Sequence, residues 1–152
     1  MPIFDEEFTV DAAPDAVWVV LIDPRRVAPC LPGCESVEVE DARTYRARIT
    51  VRVGFLSTTQ NLRVEIVESD RPRRLVSVGR GEDRKLASRV EVHTTLDLEP
   101  TVAGGTLLRY QSDVRVLGRL GSVGDAVMQV KVKQLTGDFA ANLRSALGGR
   151  PS

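Results

Sequence analysis

The chain has 152 residues, enough for one domain with a sizeable core. Its 21 basic and 21 acidic residues cancel, so no net field draws it to nucleic acid or to an anionic membrane. Two cysteines and one histidine are too few for a closed Cys/His metal site, no run is apolar for the length of a membrane span, and the opening MPIFDEEFTV has acids where a signal peptide needs a basic region.

Ile3 to Val10 reads as a first strand. Pro14 then opens a short helix, PDAVWVVLID, with Val17, Leu21 and Trp18 on its buried side. Pro24 ends it, and PRRVAPCLPG reads as a second short helical turn. Strands follow. Val37 and Val39 share a face in 35–40. Tyr45, Ala47, Ile49, Val51 and Val53 alternate with Arg46, Arg48, Thr50 and Arg52, the pattern of a half-buried strand. Leu62, Val64 and Ile66 share a face in 59–69. A strand over 74–81 ends in the turn GRGED. Leu86, Ser88, Val90, Val92, Thr94, Leu96 and Leu98 face one way in 85–99, as do Leu108, Tyr110, Ser112, Val114 and Val116 in 106–117.

The stretch from Gly121 to Leu147 has no proline and carries Met128, Val132, Leu135, Phe139, Leu143 and Ala146 on one helical face. It predicts one helix roughly 40 Å long, with Lys131, Gln134, Asp138 and Arg144 off the stripe and Gly148 and Gly149 past its end. Val123, Val127 and Val130 lie on its opposite side and, with Phe55, form an exposed apolar patch suited to a partner or to a ligand entrance. The entrance is placed between Gly54-Phe55 and 118–124.

Short turns between strands predict antiparallel pairing, and one apolar face per strand predicts a sheet covered on one side. The fold class is therefore α+β. A curved seven-stranded antiparallel sheet wraps a long C-terminal helix, with two short helices after the first strand. A single domain is expected over 1–148, with a short flexible tail at 149–152.

The inward set predicts an apolar ligand pocket: Ile49, Val51, Val53, Leu62, Val64, Ile66, Val90, Val92, Leu96, Tyr110, Val114, Val116, Met128, Val132, Leu135 and Phe139. Its polar members are the hydroxyls of Ser88, Thr94, Tyr110 and Ser112, with no Asp, Glu, Lys or His. An acid–base enzyme needs a titratable group beside its substrate. Hydroxyls in an apolar cavity instead orient a hydrophobic ligand. No catalytic residue, metal or cofactor is expected. If the chain were an enzyme of cyclase or hydratase type, Tyr110 would be its inward acid. His93 points outward as a surface residue, as do Asp113 and Arg115. Gly79-Arg80-Gly81 lies between strands rather than before a helix and makes no phosphate loop. Cys30 and Cys34 are expected as two reduced thiols.

The segment from Ala13 to Glu35 resembles the start of the CoxG proteins associated with carbon monoxide dehydrogenase. The shared residues are Ala13, Pro14, Val17, Trp18, Asp23, Pro24, Val27, Ala28, Cys30, Leu31, Pro32, Gly33 and Glu35, and the LGRLGSVGD…FAANLRSAL ending is similar too. That family lies within the START/Bet v1-like helix-grip superfamily. The resemblance implies a helper of a molybdenum-containing CO dehydrogenase or related hydroxylase, linked to its membrane attachment and to a quinone-like electron acceptor. The expected function is a non-catalytic carrier for a quinone- or lipid-like small molecule. The alternative is a docking, recruitment or maturation factor for that oxidoreductase without a ligand. The expected location is cytoplasmic, with peripheral contact at the inner face of the cell membrane as an option. Many family members carry a C-terminal extension associated with that contact, and this sequence has only Gly148 to Ser152 there.

Overall fold

The structure is a computed structural model and describes residues 3–148. The expected tail at 149–152 lies outside the described residues. β1 (Ile3–Val10) leads into α1 (Pro14–Ile22), α2 (Pro24–Val27) and a 3-10 turn at Ala28–Cys30. Then come β2 (Cys34–Val39), β3 (Thr44–Val53), β4 (Leu56–Asp70), β5 (Arg74–Asp83), β6 (Ser88–Pro100) and β7 (Thr106–Leu117). A second 3-10 turn, Arg119–Val123, precedes α3 (Asp125–Ala146).

The seven strands form one antiparallel sheet in the order β1-β7-β6-β5-β4-β3-β2. Sequential hairpins account for every pairing except β1 with β7. Bulges at Cys34/Ser36 in β2 and at Ile66/Glu68 in β4 interrupt the ladder where the sheet bends. The arginines that alternate with apolar residues lie on the outer face and pair across strands. Arg46 and Arg63 both meet Glu40, at 2.6 and 3.2 Å, Arg48 meets Glu35 at 3.1 Å, and Arg74 meets Asp97 at 2.7 Å. Such exposed pairs contribute at most about 1 kcal/mol each. They set which face stays in water rather than how stable the sheet is.

Two packed clusters hold α3 against the sheet. At its C-terminal end Val17, Trp18, Leu21, Cys30, Leu108 and Leu143 are buried together. At its N-terminal end Phe4, Val53, Val114, Leu120 and Met128 are. The first 3-10 turn and α3 are joined by Asn142, whose Nδ2 donates to the Cys30 carbonyl at 3.1 Å. Arg144 donates twice to the Thr9 carbonyl, at 3.1 and 2.8 Å, and stacks over the Phe8 ring.

The long helix begins later than its sequence pattern predicts. Gly118 and Gly124 both adopt positive φ, 87° and 90°, and bracket a 3-10 turn that buries Leu120. The helix is therefore 22 residues, about 33 Å. Its buried side is also rotated relative to the predicted stripe. Thr136 and Ala140 are buried and Ala146 is exposed. Between β5 and β6 the turn falls one step later than predicted. Asp83 Oδ1 accepts the Lys85 and Leu86 amides at 3.0 and 3.4 Å, so Leu86 belongs to the turn and not to the strand. Asp113, expected on the solvated face, is half-buried between Ile3 of β1 and His93 of β6.

Candidate functional site: an apolar cavity under the helix

Between the two packed clusters the inner sheet face and α3 do not meet. They enclose a cavity of about 340 Å³. Interiors pack to the density of organic crystals, so a void of this size inside one domain is a built feature. Its origin lies in the side chains. The inner positions of β3, β4 and β6 are mostly valine, which cannot reach across to the helix. On β5 the inner positions Ser77 and Gly79 are shorter still. A Cβ at Gly79 would lie 3.6 Å from Leu62, so the glycine adds space on that wall.

All sixteen residues predicted as the inward apolar set line this cavity. The structure adds residues that periodicity does not reveal. Leu21, Val27, Leu31 and Pro32 come from the short helices and the loop after them, which close one end. Leu75, Ser77 and Gly79 come from β5, and Tyr45, Thr58, Gln60, Leu120 and Thr136 complete the wall. Tyr45 is legible in the sequence, since it shares the face of Ile49. The loop residues carry no periodic signal.

Ser88 and Ser112 do not line the cavity. Ser88 Oγ donates to the Leu86 carbonyl at 3.0 Å and accepts the Leu120 amide at 2.9 Å, pinning the second 3-10 turn. Ser112 Oγ lies 3.3 Å from Thr94 Oγ1 behind the wall. The hydroxyls that face the cavity are those of Thr58, Ser77, Thr94, Thr136 and the two tyrosines. Burial pushes the Tyr110 phenol up from its ordinary value, opposed by the neighbouring Ser112 and Thr94 hydroxyls. Burial pushes Tyr45 up to about 12. Both phenols therefore stay neutral near pH 7 and act as hydrogen-bonding groups, not as bases.

One correction concerns charge. Lys131, expected off the inward stripe, lines the cavity. The rotation of α3 that buries Thr136 also brings Lys131 onto the wall. Its ammonium lies 3.4 Å from Oε1 of the exposed Gln134, so the stem covers the cavity rim while the head reaches the surface.

A polar network backs the wall near the β4 start. Thr58 Oγ1 donates to Asp83 Oδ2 at 2.9 Å, and Gln60 Nε2 donates to Thr58 Oγ1 at 2.9 Å. Gln60 Oε1 is buried without a hydrogen-bond partner among the described residues.

Of the apolar patch, Phe55 and Val130 are the exposed members, at 74% and 72%, and Val127 is 38% exposed. Val123 instead packs on the cluster around Leu120 and Met128. Gly54 lies against Val123 and Val127, so the β3–β4 turn touches the helix start where the sequence predicts an entrance. Cys30 is buried, Cys34 is half-buried, and both are free thiols. Burial raises the pKa of each. His93 is on the outer face, 2.7 Å from Glu91. Among the described residues no helix is long and apolar enough to cross a membrane.

A curved antiparallel sheet closed over a C-terminal helix, with a lined cavity between them, is the architecture of the START-like helix-grip proteins. The model of the carbon monoxide dehydrogenase CoxG family matches residues 7–148, and the chain belongs to that family. Solved structures share the fold. A conserved protein from Geobacillus kaustophilus superposes with a TM-score of 0.89 at 20% identity, covering 97% of this chain and 95% of that one. A START superfamily protein from Mycobacterium smegmatis superposes with a TM-score of 0.75 at 11% identity, covering 96% and 97%. No curated protein matches the chain at a significant level.

Proposed function

We propose that this protein is a non-catalytic carrier for a hydrophobic small molecule, quinone- or lipid-like, that serves a molybdenum CO dehydrogenase-type oxidoreductase. The observation that carries the reading is the cavity. It is large enough for a small apolar ligand, its wall is built of valines, leucines and isoleucines, and its polar groups are scattered hydroxyls and one amide. Among the described residues no carboxylate or imidazole lines it. The one buried carboxylate among them is Asp83, and four donors already engage it. General acid–base chemistry thus has no base to run on. Membership of the CoxG family supports the oxidoreductase as the recipient.

Native mass spectrometry of the protein purified from its own host tests the reading. The expected result is an added mass that extraction identifies as an isoprenoid quinone or a lipid. A clean apo mass, unchanged after incubation with host lipids, overturns it. A docking role on the same oxidoreductase is the second reading, supported by the exposed Phe55 and Val130. The two are compatible, because a carrier must meet its recipient.

A further inference from the structure

We propose that Lys131 is the anchor for the polar end of the cargo, and that the cavity therefore selects amphipathic molecules whose head carries an anionic oxygen. The inference rests on the carrier reading and adds the chemistry of the ligand's head to it. Lys131 is the only charged residue on the cavity wall among the described residues. Every other polar group there is a neutral hydroxyl or amide. No carboxylate among the described residues comes within ion-pair distance of its ammonium, whose one polar neighbour is the neutral Gln134 carboxamide. On the outer sheet face, by contrast, arginines are matched to acids.

The geometry orders a ligand end to end. The stem of Lys131 lies along the rim beside Val132 and Leu135, and the ammonium sits where the cavity gives way to solvent. An apolar tail fills the valine-lined interior, and its head stays at the rim, where desolvation is slight. An ammonium has three donors and no acceptor. It pairs best with a carboxylate or another anionic oxygen, and a charge-assisted hydrogen bond is about twice as strong as a neutral one. A hydroxyl head on the same tail gains only the neutral bond.

The test uses decanoate and 1-decanol, which share a carbon chain and differ in the head, as competitors for Nile red bound to the protein at pH 8. The expected result is displacement by decanoate at a concentration lower by about tenfold than by decanol, equivalent to roughly 1.4 kcal/mol. Lys131→Met brings the two competitors level while Nile red still binds. Lys131→Arg keeps the preference. Lys133→Met also keeps it, because the exposed Lys133 is on the same helix but off the cavity wall.

Equal competition in the unaltered protein overturns the inference and leaves the carrier reading standing, and this comparison needs no variant to fold. A preference that survives Lys131→Met, or that Lys133→Met abolishes equally, overturns it too. If neither the dye nor either competitor binds, the carrier reading falls and takes the inference with it.

Discussion

Thr58 Oγ1 donates its proton to Asp83 Oδ2 at 2.9 Å, joining the start of β4 to the last residue of β5. That bond decides the orientation of a third residue. With the Thr58 proton committed to a carboxylate, its lone pair accepts from Gln60 Nε2, which turns Gln60 Oε1 toward Gly81. A side chain at Gly81 would meet that oxygen at 3.0 Å, so the glycine makes room for the arrangement. The backbone amides of Thr59, Lys85 and Leu86 complete the carboxylate's shell.

Asp83 makes acid sensitivity predictable. Burial alone would raise its pKa, but the Thr58 hydroxyl and the three amides outweigh burial and hold it below the ordinary value. A depressed folded-state pKa contributes stability that is full above the unfolded value, about 4, and is lost as pH falls through the folded value. Urea midpoints at pH 7 and pH 3 should therefore differ more in the native protein than in Asp83→Asn. The variant should lose about 1–3 kcal/mol at pH 7, because an amide turns a donor toward a shell of donors. Equal pH dependence in both proteins would show that Asp83 does not set it.

Leucines at different depths should not cost the same. Leu143 is fully buried in the cluster under α1, and Leu143→Ala leaves a new void there. Leu62 already borders open space, and truncating it only enlarges the cavity. Cavity-forming Leu→Ala changes span about 2–5 kcal/mol, the larger values where the surroundings cannot relax. Leu143→Ala should fall in the upper half of that range and Leu62→Ala at its lower end, read from denaturant unfolding. Matching losses would mean that the wall is as tightly packed as the cluster.

Much of this architecture is legible in the amino-acid sequence because period-2 alternation is strong here. The arginines at 46, 48 and 52 mark the outer face as clearly as the valines mark the inner one. The cavity wall follows from the same alternation, since residues two apart must share a face. The helix is harder to read. Its hydrophobic stripe is compatible with starting at Gly121, and only the positive φ at Gly124 shows that the chain turns there. The same stripe leaves Lys131 outside, because a lysine stem counts as polar in a periodicity count while it behaves as hydrocarbon at a rim. Leu31 and Pro32 reach the cavity from a loop, where no periodicity exists to reveal them.

The exposed patch separates docking from carrying. Phe55 and Val130 face solvent at the end of the molecule where α3 starts, and their apolar area is better explained by a partner than by water. The double variant Phe55→Ser, Val130→Ser should reduce co-purification with the molybdenum hydroxylase from the host while leaving the melting temperature within about 2 °C, since exposed side chains contribute little to stability. Cargo binding should be unchanged, because neither residue lines the cavity. Undiminished co-purification would place the docking surface elsewhere.

Two glycines beside the second 3-10 turn should respond very differently to the same change. Both have positive φ, so alanine at either carries the strain of left-handed backbone, about 1–2 kcal/mol. At Gly124 a new Cβ meets nothing within 4 Å, and strain is the whole cost. At Gly118 it would overlap the Ala87 carbonyl oxygen and lie 2.9 Å from the Ser88 Cα, both backbone atoms. The chain must move to admit it. That movement would pull Leu120 from its cluster and break the bond from its amide to Ser88 Oγ. Gly118→Ala should thus lose several times more stability than Gly124→Ala, and it alone should weaken Nile red binding, because Leu120 is part of the cavity wall. Equal losses in thermal unfolding would show that the turn between β7 and α3 yields freely, and that its close approach to Ala87 does not hold the helix over the cavity.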